Sequence, residues 1–169
     1  MITYAFVDEW RIGSDVETVW TAFRRLEEWP EWWPSARSLT LVEPGSERGV
    51  GAVWRFVFQT RLPYRMRFDA TFVGIEEFVV VEAEVAGRFE GAGRWVVTAI
   101  PGGTLLRFDW TVTPQIAWMQ LVAPVARPVF GWNHRSLMVE GGAALARRLG
   151  VPLLAPSVST LGTFSAASA

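Results

Sequence analysis

Tyr64-Arg65-Met66-Arg67-Phe68-Asp69-Ala70-Thr71-Phe72 is the stretch on which the fold turns. Successive side chains of a strand point to opposite faces. Tyr64, Met66, Phe68, Ala70 and Phe72 therefore share one face, and Arg65, Arg67, Asp69 and Thr71 the other. The same rhythm of two runs through its neighbours. Trp54, Phe56 and Phe58 oppose Arg55 and Gln59, and Val79, Val81, Ala83 and Val85 oppose Glu82 and Glu84. Trp95, Val97 and Ala99 oppose Arg94 and Thr98, and Leu106, Phe108 and Trp110 oppose Arg107, Asp109 and Thr111. A sheet with one dry and one solvated face reads this way. The wet face carries both charge signs, which predicts cross-strand pairs of Arg with Asp or Glu, worth roughly 0.2–1 kcal/mol each.

Outward from this block, the pattern predicts six strands, at 39–42, 53–59, 64–75, 78–86, 93–100 and 105–112. Turn chemistry separates them at Pro44-Gly45, Leu62-Pro63, 74–77, 87–91 and Pro101-Gly102-Gly103. These connections are too short for crossover helices, so the sheet should be antiparallel. Residues 2–12 give a seventh strand at the start. Ser14 and Glu17 have the spacing of a capping box, and Val16, Val19, Trp20 and Phe23 follow on one helical face. A short second helical turn at 27–33 is bounded by Pro30 and Pro34.

After Pro114 the period becomes helical and lasts to about Leu149, with Phe130, His134, Leu137, Gly141, Leu145 and Leu149 in one stripe. Pro124 and Pro128 lie inside it. Each removes a backbone donor, at a cost on the order of 3 kcal/mol in a helix interior. This predicts a broken front segment at 116–123, hinged against a regular helix from Val129. Such a segment would present Trp118, Leu121 and Val122 as a lid; a loop that happens to contain two prolines is an equal reading. Gly141-Gly142 predicts close approach of this helix to what lies beneath it. The expected class is α+β: a seven-stranded curved antiparallel sheet wrapped around a long C-terminal helix, with two short helices. Residues 1–149 form one domain, followed by a low-complexity tail at 150–169, where Leu153, Leu154 and Phe164 are available to dock across a cavity mouth.

Composition narrows the chemistry. The 169 residues include 16 basic and 17 acidic side chains, for a net charge of −1, which argues against a nucleic-acid partner. Every basic residue is arginine, so lysine Schiff bases and phosphate-loop lysines are excluded. With no cysteine and one histidine there is no thiolate or multi-histidine metal site. No metal and no cofactor is expected. There is no nucleophile elbow or phosphate loop. A charged N-terminal segment and the lack of a long apolar run predict a cytoplasmic protein without stable membrane insertion.

The order of elements resembles the START-like, or helix-grip, superfamily (SRPBCC), and within it the bacterial polyketide cyclase/dehydrase and lipid-transport-like group. The resemblance spans roughly residues 3–149. It rests on residues 13–34 (GSDVETVWTAFRRLEEWPEWWP), the six-strand run, and residues 130–150 (FGWNHRSLMVEGGAALARRLG). It implies a deep apolar cavity between sheet and helix, able to take a lipid, polyketide or polycyclic compound. Members range from cyclases and aromatases to carriers, so the resemblance leaves function open.

Two readings of the dry face compete: a solid aromatic core, or the walls of a cavity. On the second, the ligand-binding candidates are Trp54, Phe56, Phe58, Tyr64, Met66, Phe68, Phe72, Val81, Trp95, Val97, Phe108, Trp110, Trp118, Leu121, Phe130 and His134. The leading expectation is a binding protein for a hydrophobic small molecule, monomeric or homodimeric. The alternative is a cyclase or dehydratase acting in the same cavity, with Tyr64 and His134 as catalytic candidates and Asn133 and Ser136 as further inward polar groups. For His134 the favoured reading is nonetheless a core-edge residue bonded to backbone or water. A third reading gives Trp29-Pro30-Glu31-Trp32-Trp33 an exposed partner-binding role.

Overall fold

The computed structural model describes residues 1–162, excluding the side chains of residues 123 and 124. The chain runs β1 (Tyr4–Ile12), α1 (Val16–Arg24), a 3-10 turn (Leu26–Glu28) and α2 (Trp29–Trp32). Then come β2 (Ala36–Glu43), β3 (Val53–Gln59), β4 (Arg65–Glu76), β5 (Val80–Ala86), β6 (Phe89–Ile100) and β7 (Gly103–Pro114). It closes with α3 (Ala117–Leu149) and β8 (Val158–Leu161). The strands form one antiparallel sheet in the order β2-β3-β4-β5-β6-β7-β1-β8. β1 joins β7, so the first strand lies beside the last hairpin and its inner face is covered by α3.

The predicted two faces are present. Phe56, Phe58, Phe68, Ala70, Phe72, Val81 and Phe108 are buried on the inner side. Outside, Arg55 and Asp69 face each other across β3 and β4 and share two hydrogen bonds of 2.8 Å. The Arg55 hydrogen bonds hold the Asp69 carboxyl below its ordinary range. Arg94 meets Glu82 across β5 and β6 at 3.0 Å.

The structure departs from expectation in three places. The sheet has eight strands among the described residues, because the segment read as tail pairs with β1. Leu153 bridges Ile12, and Val158–Leu161 runs along β1. β1 would otherwise expose a long unpaired edge, and the tail's Val158 and Leu161 give it enough strand character to cover that edge. The N-cap of α1 is Asp15 rather than Ser14. Its Oδ1 accepts from the Thr18 N–H at 2.9 Å and its Oδ2 from the Thr18 hydroxyl at 2.8 Å. Aspartate caps as well as serine does, and the two Thr18 bonds lower its pKa.

The third departure is α3, which is continuous over 33 residues instead of breaking at the prolines. Tertiary contacts hold its front. The Gln120 amide accepts from Ile2 N–H at 2.7 Å and donates to Pro114 C=O at 2.6 Å, tying the first turns to the segment ahead of β1 and to the end of β7. Further along, Gly141 and Gly142 lie directly on the rings of Trp33 and Trp10. The helix ends in a left-handed Gly150, whose N–H returns to Arg147 C=O.

Candidate functional site

The space between sheet and helix is not filled. A cavity of about 150 Å³ lies among α1, α2, the inner face of β1 and β3–β7, and the underside of α3. A void of this size holds about one benzene ring. Of the predicted ligand-binding residues, Phe56, Phe58, Tyr64, Met66, Phe68, Phe72, Val81, Trp95, Phe108, Trp110, Phe130 and His134 line it. Four do not. Trp54 packs against the core nearer the sheet edge, and Val97 is buried away from the void. Leu121 is 82% exposed, whereas Trp118 is half exposed and meets the lining residue Tyr64 edge-on, with ring centres 6.4 Å apart. An unbroken α3 turns Leu121 outward, because the helical period assigns it the face opposite Met119.

The short helices supply a wall that strand alternation did not reveal. Trp29 and Trp33 line the cavity and are 4% and 2% exposed, with Trp32 also buried. The Trp29 indole N–H donates to Phe23 C=O at 2.8 Å. The Trp-Pro segment is therefore core, not an exposed partner surface.

Polar groups at the cavity are few, and two residues bearing on them were not anticipated. The first is Asp8, which does not itself line the cavity but bonds His134, which does. Residues Tyr4, Phe6, Asp8, Trp10 and Ile12 are all buried on one side of β1, and Asp8 is completely inaccessible. Its Oδ2 stands 2.7 Å from His134 Nε2, while its Oδ1 has no hydrogen-bond partner. Carboxylate oxygens only accept, so Nε2–H donates and Nδ1 is left as the basic nitrogen. The imidazole is also stacked on Phe6, with ring centres 3.9 Å apart. It is held from two directions, and it lines the cavity. The alternation of β1 carried the signal: one carboxylate in an otherwise apolar register.

The second is Arg24, at the C-terminal end of α1. Its position four residues after Trp20 places it beside the helix's apolar face, and the structure puts it at the cavity wall. Its guanidinium lies over the rings of Trp20 and Phe72, 5.9 and 5.3 Å from their centres. Burial pulls its pKa below the ordinary arginine value.

Tyr64 is half-buried, with its phenol pushed up by burial and then by Tyr4. Asn133, 6% exposed, accepts from Leu62 N–H at 3.4 Å. Ser136 is absent from the lining. Among the described residues, no three His, Asp or Glu side chains are grouped to hold a metal ion. No helix among them is long and apolar enough to cross a membrane.

A curved antiparallel sheet gripping a long C-terminal helix over an apolar cavity defines a helix-grip protein of the START and birch-allergen type. Residues 6–150 match the family described as polyketide cyclase / dehydrase and lipid transport, and the chain belongs to that family. None of the curated proteins matches it by sequence. Among solved structures it is similar to a START superfamily protein from Mycobacterium smegmatis. The TM-score is 0.70 at 16% identity, covering 87% of this chain and 97% of that one. It is also similar to major latex-like protein 151 from Panax ginseng, with TM-score 0.68 and 16% identity over 88% and 98%. The di-domain aromatase/cyclase StfQ of the steffimycin biosynthetic pathway gives TM-score 0.64 at 15% identity. That match covers 89% of this chain and 53% of StfQ, so the chain spans about half of the di-domain protein. At these identities the likeness is one of fold.

Proposed function

We propose that this protein binds a hydrophobic small molecule in the cavity between its sheet and α3. One observation carries the reading: aromatic and aliphatic side chains surround an unfilled space at which only a few polar groups converge. Ligand sites have this character. The cavity, at about 150 Å³, fits one ring or a short acyl segment. It lies below the roughly 300–1,000 Å³ of sites for larger molecules. A polycyclic or long-chain ligand therefore requires the front of α3 to move. Pro124 and Pro128 make that segment the suitable place, since the ladder there lacks two backbone donors. Extraction of the purified protein with organic solvent, followed by mass spectrometry, tests the reading together with titration by a hydrophobic fluorophore. A co-purified apolar compound, or saturable fluorophore binding, is expected; an empty protein that ignores the fluorophore overturns it.

The Asp8–His134 pair favours a second reading, a cyclase or dehydratase acting on a polyketide-like ligand in the same cavity. An imidazole oriented by a buried carboxylate, with its other nitrogen free, is equipped to take a proton from a bound ligand. Tyr64, at the same cavity, is a phenol able to donate to a ligand carbonyl. His134→Gln keeps an N–H for Asp8 but loses the basic nitrogen. On this reading it abolishes turnover of a linear polyketide thioester while fluorophore binding persists. Unchanged turnover removes His134 from the chemistry.

A further inference from the structure

We infer that Arg24 is the anchor for an anionic group on the cavity's ligand, so that the ligand is an apolar molecule bearing a carboxylate. The inference rests on the binding reading above and specifies the chemistry of its ligand.

Burial and pairing together single Arg24 out: Arg37, Arg48, Arg61, Arg88, Arg135 and Arg147 also have no ion pair among the described residues, but they are exposed. Arg11, Arg25, Arg55, Arg94, Arg107 and Arg148 each sit in an ion pair with Asp or Glu. Arg24 has neither a carboxylate nor any hydrogen-bond acceptor among the described residues, although it is more enclosed than most of them. Its neighbours are ring faces and the backbone at Gly49, where a Cβ would stand 3.3 Å from Nη2. Cation–π contact offsets part of the lost hydration but occupies none of the five N–H donors. A guanidinium stays charged even when partly desolvated. Folding has therefore left a half-buried, donor-rich cation without a protein acceptor, among the described residues, on the wall of a cavity that is otherwise almost wholly apolar.

The sheet fixes where this cation stands. Phe72, Ala83, Gly93, Trp110 and Phe6 form one cross-strand row from β4 through β5, β6 and β7 to β1. Arg24 lies over Phe72 at one end of that row, and His134 is stacked on Phe6 at the other. The two strongest polar groups thus bracket the aromatic floor from opposite walls. A ligand with an apolar body and one carboxylate satisfies the fork of Arg24 bidentately while its body covers the rings. A neutral ligand leaves the fork unanswered.

The test compares acids with their neutral amides by isothermal titration calorimetry, using benzoate against benzamide and 2-naphthoate against 2-naphthamide. The wild-type protein should bind at least one acid about tenfold or more tightly than its amide, as a charge-assisted pair out of bulk water provides. Arg24→Gln should erase that preference while still binding the amide, and Arg24→Lys should keep part of it. Melting temperatures of all three proteins separate loss of recognition from loss of fold. Equal affinity of the wild type for acid and amide overturns the inference and leaves the binding reading standing. So does a preference that survives Arg24→Gln, or an Arg24→Gln protein that loses melting temperature with its selectivity intact. Failure of the wild type to bind any of the four compounds overturns both.

Discussion

At the scale of single residues, Asp8 sets the terms. A carboxylate with no solvent access costs several kcal/mol to bury, and here one His134 bond offsets that cost while Oδ1 goes without a partner. A core selected for stability alone would place a leucine there. Removing one partner of such a pair is damaging because it strands the other, whereas replacing both by apolar groups is often neutral or better. His134→Leu should therefore lower unfolding stability by about 3–5 kcal/mol. The double variant Asp8→Leu/His134→Leu should recover most of that loss, measured by urea denaturation. If the single and double variants are equally unstable, the pair holds α3 to β1 in a way that apolar packing cannot replace, and its presence needs no functional explanation.

At the scale of elements, the helix–sheet contact is decided at Gly141 and Gly142. Glycine in a helix interior costs about 1 kcal/mol relative to alanine, so alanine at position 141 gains that much in propensity. Against this, its Cβ would stand within 2.6 Å of Trp33 Cε2, on a ring that is 2% exposed and already packed on Trp10 and Phe58. A buried indole clamped on three sides cannot retreat, and overpacking costs about 1–3 kcal/mol. The clash wins, so Gly141→Ala should lower the melting temperature, and Trp33→Phe should partly relieve it. The glycine pair was legible in the sequence as a close approach, as were the strand alternation and the helical stripe through His134, because each is a periodic property of a local run. The continuity of α3 was not. Local cost argued for a break at Pro124 and Pro128, and what overrides it is Gln120 reaching residues 2 and 114, contacts that no local window contains. The strand in the tail was missed for a related reason: its partner, β1, lies at the other end of the chain.

At the scale of the whole molecule, the question raised by the sequence was whether the inward rings fill the space they surround. Alternation places side chains on a face and says nothing about the curvature of the sheet or the height of the helix above it, so solid core and cavity gave the same pattern. The role of Arg24 was hidden for the same reason: it reaches the cavity wall only through the tertiary curvature that brings α1 over Phe72 of β4. Ala70 now allows the void to be tested directly. It is 3% exposed, on β4, and lines the cavity. In a close-packed core, the three extra carbons of leucine would force side chains off their rotamers at about 1–3 kcal/mol. In a hollow one, they enter free space and add buried apolar area, at roughly 0.8 kcal/mol gained per methylene. Ala70→Leu should thus hold or raise the melting temperature while fluorophore binding weakens at least tenfold. A fall in melting temperature with binding unchanged would mean that the space beside Ala70 is occupied by the protein's own side chains in solution, and that guests bind elsewhere.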